Sequence, residues 1–287
     1  MVNSDSSFVI SPMTKRIELN AGEVYHGTLS ISNPQNATND FKFKVSVSAY
    51  SVSGDDYSAD FLTENDRTLI TNWITLDKDS GTLKPNETTK INYTITVPEN
   101  APGGGQYAAL LVTSDTDVGN TDGIAVENVF EMASLIFAKI EGETEHGGEI
   151  KENNIPGFVT ELPIRVDAFV NNSGNVHDIA RVAVEVRSVF SAEPIYPKSY
   201  ENNTIEETIM PETSRRIIRD LDGFSPLGIY TVKQTITYLD EVSVIEKTVI
   251  ACPIWFMVLL SVTVIAIVYS IFKSLKRHRR RKQMFKD

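Results

Sequence analysis

Residue types that support catalysis or metal binding are sparse in this sequence. The four histidines stand far apart, at His26, His146, His177 and His278, with no His-x-x-x-His spacing. The single cysteine, Cys252, excludes a Cys-x-x-Cys pair, so the ligand sets typical of zinc sites are missing. No Gly-x-Ser-x-Gly elbow, phosphate loop or dinucleotide fingerprint occurs either. The sequence therefore predicts a non-enzymatic protein with no catalytic residue, no cofactor and no metal site.

Two acidic loops provide the candidate binding residues. Residues 54–60 and 114–123 place several carboxylate and hydroxyl oxygens close together, and Ca²⁺ prefers such ligands. The second loop lacks the closing Glu of an EF-hand, and the first is similar, so solvated turns are the first interpretation and calcium binding is the alternative. The candidate binding residues in these loops are Asp55, Asp56, Tyr57, Asp60, Asp115, Asp117 and Asp122.

A glycine run, Pro102-Gly103-Gly104-Gly105, resembles a phosphate loop only in its glycine content. It lacks the Lys-Ser/Thr pair and the following helix that such a loop needs, so we interpret it as a turn that enters a hairpin. Its last glycine opens a Gly-x-Tyr pattern with Tyr107, and the same pattern recurs at Gly228-Ile229-Tyr230. We expect both tyrosines to pack and hydrogen-bond at a corner of the fold.

The elements that position these residues are predicted to be β-strands. Apolar and polar residues alternate along Phe41–Ser48, Ile91–Val97, Ile164–Ala168 and Val182–Arg187, as in strands that bury one face. No long amphipathic helix precedes residue 253. The predicted fold class is therefore mainly β: two tandem Ig-like β-sandwich domains followed by a single C-terminal transmembrane α-helix.

The domain boundaries follow from length and from one linker. About 250 residues exceed the roughly 100 residues of one sandwich, and the charged, glycine-rich segment 142–147 is the best linker. The predicted domains are a first sandwich over 7–141, the linker 142–147, a second sandwich over 148–250, a transmembrane helix over 253–272 and a basic cytoplasmic tail over 273–287.

The run Pro253–Phe272 has no charged residue in 20 positions. As a helix it is about 30 Å long, which matches the hydrocarbon core of a bilayer. The next 15 residues carry eight Lys or Arg and one Asp, which is the positive-inside signal. We therefore predict a single-pass plasma-membrane protein with extracellular N-terminal domains and a cytoplasmic tail. The residues predicted to determine this topology are Lys273, Lys276, Arg277, Arg279, Arg280, Arg281 and Lys282.

The part before the helix is strongly acidic. It carries 19 Lys or Arg against 37 Asp or Glu, a net charge of −18. Such a surface does not suit nucleic acid or anionic lipid, so no nucleic-acid partner is predicted. An exported domain needs a signal peptide, and residues 1–12 lack its apolar segment. We therefore expect an apolar segment upstream in the full precursor.

Several landmarks of the first half match a known family plan. They are Phe8–Pro12, Leu19–Glu23, the Asn-ended strand Ile31–Asn33, Trp73-Ile74, Leu83–Glu87 and Gly105–Ala109. This set resembles the first domain of the WxL-interacting proteins of Gram-positive bacteria. The resemblance implies two Ig-like domains, one C-terminal helix and a basic tail. It also implies peptidoglycan binding by the first domain and partner-protein binding by the second.

Three functions remain open at this point. The leading hypothesis is a bacterial surface protein whose sandwiches bind the cell wall, with peptidoglycan or a secreted surface protein as partner. The second is an accessory subunit of a membrane complex, with Ser261 and Thr263 as small polar residues for helix packing. The third is an enzyme, which would need a shared pocket of titratable residues that the sequence does not indicate.

Overall fold

The computed structural model describes residues 8–54, 56–114, 130–191, 193–197 and 204–284. Eleven described strands lie in the first half of the chain, and a short 3₁₀-helix, Leu69–Trp73, precedes β7. The strands are β1 Val9–Ser11, β2 Thr14–Leu19, β3 Val24–Ser32, β4 Phe41–Ala49, β5 Ser51–Ser53, β6 Ser58–Asp60, β7 Ile74–Leu76, β8 Ser80–Leu83, β9 Thr88–Thr96, β10 Gly104–Ser114 and β11 Glu131–Ile140.

Two sheets of the first sandwich enclose its core. One has the order β1-β3-β9-β7 and the other the order β2-β11-β10-β4-β8, while β5 and β6 form a separate hairpin. The chain switches sheets between β1 and β2, and β2 then runs parallel to β11. Strands β3 and β9 face β10 and β11 across the core, which is the Ig-like arrangement.

Strand β10 differs from the alternating strands because both of its faces are covered. Ala108, Leu110 and Val112 enter the core between the sheets, and Tyr107 packs on the opposite face. Trp73 packs against the same core as a partly buried side chain.

The second sandwich is built from the later strands. They are β12 Gly148–Asn154, β13 Phe158–Val159, β14 Ile164–Asn172, β15 Asp178–Ser188, β16 Pro194–Tyr196, β17 Thr204–Ile209, β18 Ser214–Leu221, β19 Gly228–Tyr238 and β20 Glu241–Ala251. One sheet has the order β12-β14-β18, and the other has the order β13-β20-β19-β15-β16 with β17 also pairing with β15. Helix α1, Ile254–Met284, follows β20. The predicted fold class, mainly β with Ig-like sandwiches and a C-terminal helix, is confirmed.

The chain groups into two compact units. The first comprises the chain up to Glu149 together with Asn171–Asp178 and Thr208–Arg215, and the second comprises the remaining segments. Two short segments from the later half of the chain therefore belong to the first unit. The predicted domain bounds, 7–141 and 148–250, describe domains that fold independently. Grouping by contacts does not test independent folding, so these bounds stay predictions.

Candidate functional site

An aromatic cluster covers the outer face of β10 and β11 in the first unit. Tyr107 and Phe137 are direct cross-strand partners, and their ring centroids lie 5.5 Å apart in an edge-on contact. The His177 ring contacts both edge-on, at 5.6 Å from Tyr107 and 5.1 Å from Phe137. Such contacts favour a fixed mutual orientation of the three rings.

His177 is held by Tyr107 through hydrogen bonds, and its burial sets its protonation state. Its backbone N–H donates to the Tyr107 hydroxyl at 2.9 Å, and that hydroxyl lies 3.2 Å from His177 Nδ1. Burial lowers the pKa of His177 to about 4, and electrostatic interactions with Arg16, Lys139 and His146 act in the same direction. His177 is therefore neutral at pH 7. The Tyr107 hydroxyl and Nδ1 therefore share one hydrogen bond, whose direction depends on which ring nitrogen carries the proton.

The Gly-x-Tyr pattern has one physical reason at both places. A Cβ at Gly105 would lie 2.0 Å from the Tyr107 hydroxyl oxygen, and a Cβ at Gly228 would lie 2.6 Å from that of Tyr230. The Tyr230 hydroxyl donates to the Ser225 carbonyl at 2.6 Å. Both tyrosines thus pack over a glycine and hydrogen-bond, as predicted.

Tyr57, one of the predicted loop residues, is half-buried in the first unit. Its hydroxyl accepts the Met210 N–H at 2.7 Å and donates to Thr213 Oγ1, whose own hydroxyl donates to the Met210 carbonyl at 2.8 Å. The Arg215 guanidinium lies 4.5 Å from the centroid of the Tyr57 ring. Burial raises the pKa of Tyr57. The hydrogen-bonding capacity of this hydroxyl is therefore used inside the protein.

The other predicted binding residues are not gathered at one place by the described structure. Asp56 is exposed and accepts a bond from Ser58 Oγ at 2.8 Å. A side-chain hydrogen bond from Thr63, together with the N–H groups of Leu62 and Thr63, lowers the pKa of Asp60. The remaining candidates, Asp55, Asp115, Asp117 and Asp122, lie outside the described residues. Ligand binding by these loops stays a prediction.

Potential metal ligands are also dispersed in the described part of the chain. Among the residues that the structure describes, no group of three or more His, Cys, Asp or Glu side chains could hold a metal ion.

A cleft of about 320 Å³ lies beside the His177 ring, within the first unit. The Arg16 guanidinium lies 5.5 Å from the Phe137 ring centroid and donates to Thr208 Oγ1 at 3.0 Å. The Lys139 ammonium lies 3.7 Å from a Glu18 carboxylate oxygen. The residues lining the cleft are Arg16, Ile17, Glu18, Phe137, Lys139, His146, Val176 and His177.

This lining offers cationic hydrogen-bond donors, which suit a carboxylate group. Sequence reasoning missed the cleft, because Arg16 and Lys139 come together only through the parallel pairing of β2 with β11.

The glycine run and the segment 142–147 meet at Asn175. The Asn175 side chain accepts the Glu145 N–H at 2.9 Å and donates to the Glu143 carbonyl at 2.7 Å. Gly104 has a φ of +104°, and a Cβ there would lie 2.7 Å from the Asn175 carbonyl oxygen. The glycines are therefore required by a close backbone approach at the start of β10, in agreement with the predicted hairpin-entry turn.

Helix α1 contains the segment Ile254–Lys276, which is long and apolar enough to cross a membrane. Its 23 residues include a window of mean hydropathy 2.5, and none of that window is buried in the protein. The hydroxyls of Ser261 and Thr263 donate at 2.8 Å to carbonyls one turn earlier, so the helix satisfies its own polar side chains. Of the predicted topology residues, Lys273 and Lys276 lie in this segment, and Arg277, Arg279, Arg280, Arg281 and Lys282 continue the same helix.

Comparison with known proteins gives a distant likeness of fold. No family model and no curated protein matches the chain. A chain of a chaperone–tip adhesin complex of CFA/I fimbriae biogenesis is 12% identical, with 84% of this chain and 99% of that chain covered at a TM-score of 0.42.

Two further solved structures are similar at the same level. A chain of the CsuC–CsuE chaperone–tip adhesion subunit pre-assembly complex of Acinetobacter baumannii is 13% identical, with coverages of 84% and 98% and a TM-score of 0.40. A chain of the Salmonella enterica SafA pilin–SafB chaperone complex is 12% identical, with coverages of 85% and 96% and a TM-score of 0.38. These TM-scores are below 0.5, so no property of these proteins is carried over to this chain.

The buried neutral state of His177 predicts a pH-dependent stability. Between pH 6.5 and 4 the unfolded chain protonates this imidazole while the folded chain does not. The contribution of neutral His177 to the free energy of unfolding is therefore complete above pH 6.5 and is lost as the pH falls towards 4. The loss is at most about 3 kcal/mol, at about 1.4 kcal/mol per pKa unit. Urea unfolding of the full chain in detergent should show it, and His177→Gln should lower the dependence of unfolding free energy on pH. Parallel pH profiles for the two proteins would contradict this assignment.

Proposed function

We propose that this protein is a non-enzymatic, membrane-anchored cell-surface protein whose Ig-like sandwiches bind a cell-wall or protein partner. The observation that carries the anchor is the exposure of Ile254–Lys276, a 23-residue segment with no part of its apolar window buried. Exposing one large apolar side chain to water costs about 1.5–3 kcal/mol. Exposing a segment of this length to water would therefore cost more free energy than the whole free energy of unfolding of a domain, about 5–15 kcal/mol. A bilayer removes that cost.

The orientation is proposed from the charges that follow the anchor. Lys273 and Lys276 begin a basic run that continues to Lys282, and such runs remain on the cytoplasmic side. The β-sandwiches, which precede the helix, are then extracellular. Their net charge of −18 does not oppose this orientation, because acidic residues contribute little to membrane topology.

The partner is proposed to be peptidoglycan or a secreted surface protein. This follows the resemblance to the WxL-interacting proteins, which stays a prediction. The cleft beside His177 supports such a role, since the Arg16 guanidinium and the Lys139 ammonium can bind carboxylates of a wall peptide or a protein. An accessory subunit is the alternative. The donor hydrogens of Ser261 and Thr263 are used within the helix, so these hydroxyls do not favour a helix partner.

Topology is tested by protease treatment of intact cells that express the full chain with a tag after Asp287. We expect the β-rich part to be removed while the tag stays protected until lysis, because the basic run is held inside. Replacing Arg277, Arg279, Arg280 and Arg281 by Gln should leave part of the population inverted. Sandwiches that resist protease in intact cells, with a tag that is cleaved, would contradict the proposed orientation.

Wall binding is tested by sedimentation of the detergent-solubilised full chain with purified peptidoglycan. We expect retention, and a loss of at least about tenfold in the double variant Arg16→Gln, Lys139→Gln, since bonds to charged groups contribute about 1.5–3 kcal/mol each. Lys90→Gln, an exposed lysine on β9, is the matched control. Equal retention of both variants would exclude the cleft, and no retention of the natural chain would exclude the wall-binding form of the proposal.

A further inference from the structure

Exposed apolar side chains form a row across one end of the larger sheet in the second unit. Phe158 on β13, Ile250 on β20 and Ile229 on β19 are consecutive cross-strand partners. Val189 adjoins the row, because its N–H donates to the Ile229 carbonyl at 3.1 Å. The four side chains are 50%, 45%, 37% and 44% exposed in that order. Directly opposed residues project from the same face of a sheet, so Phe158, Ile250 and Ile229 form one continuous apolar row on that face.

The row lies where the chain leaves the sandwich for the apolar helix. Strand β20 ends at Ala251, and α1 begins at Ile254. The four residue steps from Ile250 to Ile254 span at most about 14 Å of extended chain. The sheet also continues to this point, since the Cys252 N–H donates to the Val159 carbonyl at 2.9 Å. Trp255, in the first turn of the helix, is 63% exposed and is a residue type common at membrane interfaces.

Over the three rows next to the helix the polarity of this face rises, and further along β20 the exposed Val244 and Val242 make it apolar again. The next cross-strand pair on the same face is Thr231 with Thr248, and the pair after that is Lys233 with Glu246. The face thus passes from apolar to hydroxyl to charged side chains over three successive rows. That order matches the change from acyl chains through headgroups to water at a bilayer surface.

We propose that the row of Phe158, Ile229, Ile250 and Val189 contacts the outer surface of the bilayer and seats the second sandwich on it. This inference rests on the proposed anchor, because the helix holds the row near lipid. The contact is apolar rather than electrostatic, since the chain before the helix is strongly acidic. A zwitterionic lipid surface is therefore the appropriate partner.

The same strand supplies a matched control. Val244 is 51% exposed on the same face of β20, six residues from Ile250. At about 3.3 Å per residue, it lies about 20 Å from the row. A lipid contact confined to the row near the helix must therefore affect position 250 and not position 244. Nonspecific hydrophobic adsorption of exposed valine and isoleucine side chains would affect both positions.

The test uses the full chain with Cys252→Ser and one new cysteine, Ile229→Cys or Val244→Cys, carrying a fluorescent label. The protein is reconstituted into phosphatidylcholine nanodiscs with or without lipids that bear a nitroxide at the headgroup. We expect the nitroxide to quench the label at position 229 at least about threefold more than the label at position 244. Adding Phe158→Ser and Val189→Ser should reduce quenching at 229 towards the value at 244.

Failure of this inference can be told from failure of the anchor. Resistance of the reconstituted chain to alkaline carbonate extraction reports insertion of the helix. An inserted chain with equal quenching at the two positions would overturn the row as a lipid contact. A label at 229 that is shielded from water but not quenched by the nitroxide would also overturn it, in favour of a protein contact. A chain that carbonate extracts would overturn the anchor and, with it, this inference.

Discussion

The free energy of hydrating the segment Ile254–Lys276 constrains the whole molecule. The sandwiches bury their own apolar side chains, with Ile31, Leu110 and Ile136 fully enclosed in the first. The helix has no such enclosure in the described structure, and the proposed membrane anchor rests on this exposure. Everything proposed about location, orientation and partners depends on this difference: the β-sandwiches bury their apolar cores within the protein, whereas the apolar helix stays exposed.

Two polar side chains of the β part form hydrogen bonds that stabilise its structure. The Tyr57 hydroxyl completes a closed set of hydrogen bonds with Met210 and Thr213, and the Tyr107 hydroxyl does the same with His177. These bonds bind the segments Asn171–Asp178 and Thr208–Arg215 into the first unit. His177, one of the residues that line the cleft, is thus held in place by Tyr107, which would lower the entropy cost of binding a ligand against it.

Much of the fold could be predicted because it depends on local patterns. The alternation over Phe41–Ser48 lies within β4, and that over Val182–Arg187 lies within β15. The helix was also evident from its uncharged run, although it extends to Met284, because Lys, Arg and Gln favour helical backbone. The Gly-x-Tyr pattern was interpreted correctly, since a glycine beside a buried tyrosine has a short-range cause.

The sites could not be predicted, because they depend on register between distant strands. Arg16 meets the cleft only through the pairing of Phe137 with Arg16 and of Lys139 with Glu18. His177 reaches Tyr107 across 70 residues of sequence. The apolar row shows the same limit, since the alignment of Ile250 with Phe158 and Ile229 depends on the register of three strands.

The most direct test of the central claim is the partition of the full chain between water and a detergent phase, compared with a chain that ends at Ala251. We expect the full chain to enter the detergent phase, while the shortened chain stays in water as a folded β protein. Recovery of the full chain in the aqueous phase as a folded monomer would show that the protein itself covers the apolar helix, and would exclude the membrane anchor.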